Sequence, residues 1–168
     1  MFQFAYLNKQ EKEYWLPQLF DLLYENMKDI APSGLTYEAE KAEWLANVSS
    51  ALEKEPRKML LCFADGELAG FVQFYTRAEL LMVEEVQLRK TYHRSFLFYR
   101  ICKFLRNSLP TEITVVEAYA EKRNLYSQKL MQKLGMEVIV DDCSSYPHLF
   151  HLRGQADTVK KYFSRMRK

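Results

Sequence analysis

Two adjacent glutamates lie in the middle of an apolar segment. Glu84 and Glu85 interrupt the run Leu80–Leu88, in which Gln87 is the only other polar residue. We expect at least one carboxylate to be partly buried there, and burial raises a carboxyl pKa toward the range in which the group exchanges protons with a substrate. The pair therefore indicates general acid or base chemistry, whereas a strand-end salt bridge or a solvated carboxylate is the alternative.

The spacing of apolar residues predicts the elements that position this pair. A meander of three strands, with the hairpin signal Asp65-Gly66 at its first turn, holds the glutamates in its last strand. Pro17 predicts a kink or a restart near Leu16 in the first helix, because proline removes a backbone donor. Two early helices, the meander and then alternating helices and strands predict a mixed α+β sheet. The predicted strands are Met1–Leu7, Met59–Ala64, Leu68–Tyr75, Leu80–Leu88, Ile113–Ala120, Met136–Val140 and Ser145–Leu152, and the predicted helices are Lys9–Met27, one capped by Thr36 and ended by Pro56, Arg94–Leu105 and Asn124–Leu134.

An asparagine opens the last of these helices. Residues 124–136 read Asn-Leu-Tyr-Ser-Gln-Lys-Leu-Met-Gln-Lys-Leu-Gly-Met, with Asn124 suited to cap the helix and Gly135 to end it in the left-handed conformation. This segment resembles the closing signature of the GNAT acetyltransferases, Asn-x-x-Ala-x-x-Leu-Tyr-x-x-Leu-Gly-Phe. A purely structural helix-to-strand junction in another α/β protein is the alternative.

A second stretch carries the same resemblance. Residues 86–105 are similar to the family's strand, phosphate loop and helix, Val-x-Pro-x-Tyr-Arg-Gly-x-Gly-x-Gly-x-x-Leu. Tyr92 matches the family tyrosine, but His93 stands at the arginine, and Arg94, Phe96 and Phe98 stand at the three glycines. The resemblance, which extends from residue 1 to about 152, implies a GNAT-type, mainly antiparallel sheet of six to seven strands with helices on both faces.

The resemblance also implies that acetyl-coenzyme A is the co-substrate. Its pyrophosphate would meet the loop amides and the start of the helix, where the helix dipole favours anions, once the two phenyl groups point elsewhere. Arg94 or Arg100 could pair with the phosphates. A helix that has lost the coenzyme is the alternative interpretation of Phe96 and Phe98. The implied coenzyme contacts are Val86, Gln87, Leu88, His93, Arg94, Ser95, Phe96, Leu97, Phe98, Asn124 and Ser127.

The family comparison assigns the candidate catalytic residues. It places the base at Glu84, four residues before Leu88, with Glu85 as the second carboxylate. Met131 stands where the family has a tyrosine, and methionine cannot donate the proton that the departing thiolate needs. Water could supply that proton instead.

Composition excludes several other classes. The 168 residues carry 24 basic and 22 acidic side chains, so the net charge of +2 marks no polyanion-binding protein, and nucleic acid is not expected as a partner. No run is long enough to cross a bilayer and the first residues lack a signal-peptide pattern, so we expect a cytoplasmic protein without a membrane partner. Cys62, Cys102 and Cys143 are too scattered for a disulfide framework, and the first two are expected as core thiols. The histidines lack metal-ligand spacing, so no metal is predicted.

We expect a single acetyltransferase-like domain over residues 1–168. Residues 154–168 are predicted to form an amphipathic, basic C-terminal helix, packed on the domain or contacting an acidic partner, nucleic acid or a second protomer. The predicted activity is transfer of acetyl from acetyl-coenzyme A to a small-molecule or peptide amine. The alternative is a non-catalytic protein of the same fold that binds a protein, nucleic acid or another ligand. A homodimer is left open.

Overall fold

The computed structural model describes residues 1–54, 56–141 and 146–158. Short 3₁₀ turns at Lys9–Glu11 and Lys90–Tyr92 precede the first and third helices. The strands are β1 (Phe2–Tyr6), β2 (Lys58–Ala64), β3 (Glu67–Arg77), β4 (Leu80–Leu88), β5 (Val115–Glu121), β6 (Glu137–Val140) and β7 (Leu149–Gln155), and the helices are α1 (Lys12–Met27), α2 (Tyr37–Glu53), α3 (Leu97–Ser108) and α4 (Leu125–Lys133).

The seven strands have the order β1-β2-β3-β4-β5-β7-β6. β4 pairs with β5 in parallel, whereas β1–β2, β2–β3, β5–β7 and β6–β7 are antiparallel. This mixed sheet confirms the predicted fold class. The chain divides into two compact units, and β3 and β4 contribute residues to both.

The first unit comprises Met1–Phe74 and Glu85–Ser108. Its β2–β3 hairpin turns at Asp65 and Gly66, whose φ angles of 51° and 88° are both positive, as the predicted two-residue turn requires. α1 and α2 pack on one face of β2 and β3, while α3 reaches the other face, where the rings of Phe4 and Phe104 lie 5.1 Å apart. The core on the α1–α2 side consists of Leu16, Leu19, Leu22, Val48, Met59, Leu61, Leu68 and Phe71.

The first helix differs from its prediction. α1 runs without interruption from Lys12 to Met27 with Pro17 inside it, so the predicted restart near Leu16 is wrong. The irregularity lies earlier, in the 3₁₀ turn that Asn8 caps by accepting from the amides of Gln10 and Glu11. Pro17 lies past the first turn, so the helix continues there without the hydrogen bond that an N–H at this position would donate to the carbonyl of Glu13.

The second unit comprises Tyr75–Glu84 and Leu109–Lys168. Asn124 caps α4 through the amide of Ser127 at 3.0 Å, and Gly135 follows the helix with φ 76°, which confirms both predicted ends. β7 then pairs with β5 from Leu149 to Gln155.

Several predicted boundaries need correction. α3 begins at Leu97 rather than Arg94, because residues 93–96 form turns after β4. β7 takes up Gly154 and Gln155, so the predicted C-terminal helix cannot start there, and its residues 159–168 lie outside the described part of the chain, as does Cys143. Cys62 and Cys102 are free thiols, and burial raises the pKa of each to about 12. No helix among the described residues is long and apolar enough to span a membrane.

Candidate active site

The C-terminal end of β4 is tied to α1 by side-chain amides. The Asn26 Nδ2 group donates to Gln87 Oε1 and to the carbonyl of Leu88, both at 2.9 Å. Gln87 in turn donates to Glu85 Oε1 at 2.8 Å. This network holds Gln87 and Leu88, two of the predicted coenzyme contacts, and the Glu85 carboxylate already accepts one of its hydrogen bonds.

We expect Asn26→Ala to lower the free energy of unfolding by about 1–3 kcal/mol, because Gln87 Oε1 and the Leu88 carbonyl each lose a donor in a part-buried place. Denaturant titration measures the change. The exposed Asn47 on α2 supplies the control, since Asn47→Ala removes an amide that bonds to no described residue. Equal effects of the two substitutions would contradict the structural role of Asn26.

The turn after β4 satisfies several of its own amides. The Ser95 amide donates to the carbonyl of Tyr92 at 3.1 Å, and the Leu97 amide donates to Ser95 Oγ at the same distance. Ser95 therefore caps α3, and the amides of Ser95 and Leu97, both predicted phosphate donors, are engaged within the turn. Leu97 is fully buried as a whole residue, so its backbone amide is not exposed at the loop surface either.

His93 points back toward the strand. Its Nε2 lies 2.9 Å from the carbonyl of Leu88, and since a carbonyl only accepts, this nitrogen carries the proton. The ring therefore fixes the end of β4. The predicted contact of the His93 ring with the coenzyme would require this bond to be exchanged.

Phe96 and the neighbouring arginines remain available at the surface. The Phe96 side chain is 64% exposed, whereas Phe98 is half-buried. Arg94 and Arg100 are exposed and form no ion pair with another described residue. The start of α3 thus combines two arginines with an aromatic ring that is not part of the core.

The second unit holds the other predicted residues. Asn124 Oδ1 accepts from the Ser127 amide, so its capping role is observed, and its contact with a coenzyme stays a prediction. Met131, at the family tyrosine position, is buried in α4. Glu84 is half-buried and directly follows Val83, which forms the last β4–β5 pair with Ala118.

The sequence interpretation missed a polar cluster on β5 and β7, which consists of Glu117, Tyr119, His151 and Arg153. The Glu117 side chain is only 5% exposed, and its carboxylate accepts from His151 Nε2 at 2.8 Å and from Arg153 Nε at 2.6 Å. The Tyr119 ring stacks on the His151 ring with 4.7 Å between centroids. We call these four residues the Glu117 cluster.

Glu117 is held in its ionised form. Burial raises the pKa of Glu117, but the hydrogen bonds from Arg153 and His151 lower it by a larger amount. The net pKa therefore lies below the ordinary 4.5. A carboxyl group whose pKa is lower in the folded than in the unfolded chain stabilises the protein at pH values above its pKa in the unfolded chain. This stabilisation is lost as the pH falls below 4.5 through the folded pKa.

We therefore expect Glu117→Gln to lower the free energy of unfolding at pH 7 by about 1.5–3 kcal/mol, the range for hydrogen bonds to charged groups. The difference from wild type should shrink as the pH falls below 4.5, because wild-type Glu117 is then protonated as well. Denaturant titrations at a series of pH values test this. Glu112→Gln removes an exposed carboxylate from the same unit and should show neither effect.

Comparison with solved structures shows the fold of this chain. No family model matches the chain, and no curated protein does. An acetyltransferase from Thermus thermophilus superposes with a TM-score of 0.71 at 18% identity, over 92% of this chain and 97% of that one. The PaiA N-acetyltransferase of Thermoplasma acidophilum, in complex with coenzyme A, gives a TM-score of 0.65 at 16% identity, over 92% and 99%.

A third similar structure is the N-acetyltransferase PseH of Campylobacter jejuni in complex with acetyl-coenzyme A. Its TM-score is 0.57 at 18% identity, over 92% of this chain and 99% of that one. Almost the whole length of each of these enzymes is therefore matched. The chain has the fold of the GNAT acetyltransferases.

Proposed function

We propose that this protein transfers the acetyl group of acetyl-coenzyme A to an amine. The observation that carries the proposal is the surface at the start of α3, where Phe96 is turned out of the core and Arg94 and Arg100 have no ion-pair partner among the described residues. Guanidinium groups match phosphate oxygens in geometry and charge, so they can compensate for the missing glycines. Two of the similar structures contain coenzyme A or its acetyl ester.

The geometry divides the predicted coenzyme contacts into two groups. Ser95, Leu97 and His93 are engaged within the chain, so we assign the phosphates to Arg94, Arg100 and the remaining loop amides. We propose that the pantetheine arm of the coenzyme contacts Val86, Gln87 and Leu88. The coenzyme also contacts Asn124 and Ser127 in this proposal. Glu84 is the carboxylate that we propose to act on the acceptor amine.

Calorimetric titration with acetyl-coenzyme A tests the coenzyme site. We expect Arg94→Gln and Arg100→Gln each to weaken binding about tenfold, which corresponds to about 1.4 kcal/mol for a lost phosphate contact. Arg106→Gln, in the last turn of the same helix, should leave the affinity unchanged. Unchanged affinity in all three variants would remove the arginines from the site, and no binding by wild type at millimolar ligand would refute the proposed function.

One set of observations favours a non-catalytic protein of this fold. The amides of Ser95 and Leu97 are satisfied internally, and the buried Met131 offers no proton to a thiolate. In that case the fold binds a partner without chemistry. The same titration separates the two functions, since the non-catalytic alternative predicts no coenzyme binding.

A further inference from the structure

The imidazole of His151 has one nitrogen committed and one available. Ionised Glu117 only accepts hydrogen bonds, so the contact of 2.8 Å places a proton on His151 Nε2. In the neutral ring Nδ1 then carries a lone pair. Among the residues that the structure describes, Nδ1 has no hydrogen-bond partner. His151 is thus oriented as a base with a defined basic atom.

Its surroundings fix that orientation. Glu117 is itself held by Arg153, and the His151 ring is stacked on Tyr119, its direct partner in the β5–β7 ladder. The His151 side chain is 18% exposed, so part of it reaches solvent. A buried carboxylate that orients a histidine through one nitrogen, while the other is unbonded among the described residues, is the arrangement by which proteins prepare a proton acceptor.

The cluster lies at the same level of the sheet as Glu84. Val83 and Ala118 form the last pair of the β4–β5 ladder, and Glu84 and Tyr119 are the next residue on each strand. Neighbouring strands are about 4.8 Å apart, so β7 with His151 stands roughly 10 Å from β4. Glu84 is therefore a second carboxylate, besides Glu117, at the end of the β4–β5 pairing, and its negative charge attracts an ammonium group.

We propose that His151 accepts the proton of the acceptor amine through Nδ1, with Glu117 as the positioning residue. The proposal rests on the acetyl transfer proposed above. The nitrogen of the neutral amine attacks the thioester carbonyl carbon and forms the C–N bond, while its proton passes to Nδ1. The C–S bond then breaks, and its electron pair leaves with the coenzyme thiolate. That thiolate takes up the proton from the imidazolium, which restores His151. Before the attack, Glu84 attracts the ammonium form of the acceptor and takes its extra proton, which then passes to water, so that the attacking amine is neutral.

The pH dependence of transfer should report His151. The rate should rise with pH through one ionisation, because only the neutral ring accepts a proton. Other titratable or charged groups lie on the elements around this ring, and their effects must be separated from that of His151 by substitution. They are Glu117 and Tyr119 on β5, Arg153 on β7, Tyr146 and His148 before β7, Glu84 at the end of the β4 pairing, and Glu137 on β6 opposite Arg153.

The test compares wild type with His151→Gln and Glu117→Gln. Thiol release from acetyl-coenzyme A is followed with spermidine, 2-phenylethylamine and a lysine-containing tripeptide as acceptor probes. We expect His151→Gln to lower kcat at least about 100-fold with unchanged coenzyme affinity and to abolish the rising limb of the pH profile. Glu117→Gln should lower kcat less and shift the limb. His148→Gln, in the exposed segment before β7, should leave the limb in place.

Nitrogen-edited NMR of the histidine rings supplies a readout that needs no acceptor. The neutral His151 ring should be the Nε2–H tautomer in wild type, and Glu117→Gln should mix the tautomers. An Nδ1–H tautomer, or a His151→Gln protein with wild-type rate and profile, overturns the assignment while leaving acetyl transfer intact. Wild type that binds no coenzyme, or releases no thiol with any probe, overturns both proposals.

Discussion

A methyl group at Gly70 is expected to lower the free energy of unfolding by about 3 kcal/mol, at the upper end of the usual cost of overpacking. A Cβ atom added there would lie 2.5 Å from the backbone oxygen of Gln87 and 2.5 Å from Leu88 Cδ2. The first of these atoms belongs to backbone and cannot rotate away. Gly70 is therefore the residue that lets β3 approach the end of β4 so closely.

Denaturant titration of Gly70→Ala measures this cost, with Gly66→Ala as the matched comparison. At Gly66 a Cβ meets no atom within 4 Å, but φ is +88°, so only backbone strain of about 1 kcal/mol is expected. Gly70→Ala should also weaken coenzyme binding, since the displaced residues include the proposed pantetheine contacts Gln87 and Leu88. A loss of stability no larger than that of Gly66→Ala would show that β4 moves aside freely.

Local chemistry explains which parts of the fold could be predicted from the sequence. Asp65-Gly66 and Gly135 have positive φ angles because their neighbours along the chain demand them, and both turns were predicted correctly. The bounds of β4 also match, since an apolar run with clear ends needs no tertiary information. The restart predicted near Leu16 does not occur. Leu16, Leu19 and Leu22 pack in the core and stabilise the helix on both sides of Pro17, and this packing depends on the tertiary fold.

The candidate site was less predictable because it depends on side-chain direction and strand register. The sequence could not say whether Phe96 would enter the core, and only the structure shows it exposed while Leu97 is buried. Glu117 and His151 stand 34 residues apart and meet only in the antiparallel register of β5 and β7. The one available signal was the alternation of polar residues along both strands, Glu117 with Tyr119 and His151 with Arg153.

The largest functional effect is expected from Glu84→Gln, which should lower kcat/KM for acetyl transfer about 100- to 10,000-fold, the range of a proton-transfer group in an active site. Glutamine keeps the size of the side chain but carries no negative charge, so it neither attracts an ammonium group nor takes up a proton. The coenzyme should bind with wild-type affinity in calorimetry. Because His151 sets the pH dependence in our proposal, the rising limb should persist at the reduced rate.

Two further variants make this result specific to Glu84. Glu112→Gln removes an exposed carboxylate of the same unit and should transfer acetyl at the wild-type rate. Glu85→Gln tests the second candidate, whose Oε1 accepts from Gln87, a bond that a glutamine oxygen can also accept. If Glu85→Gln loses the activity and Glu84→Gln keeps it, Glu85 is the carboxylate that acts on the acceptor amine. A fully active Glu84→Gln protein would remove Glu84 from the mechanism and leave His151 of the Glu117 cluster as the proposed proton acceptor.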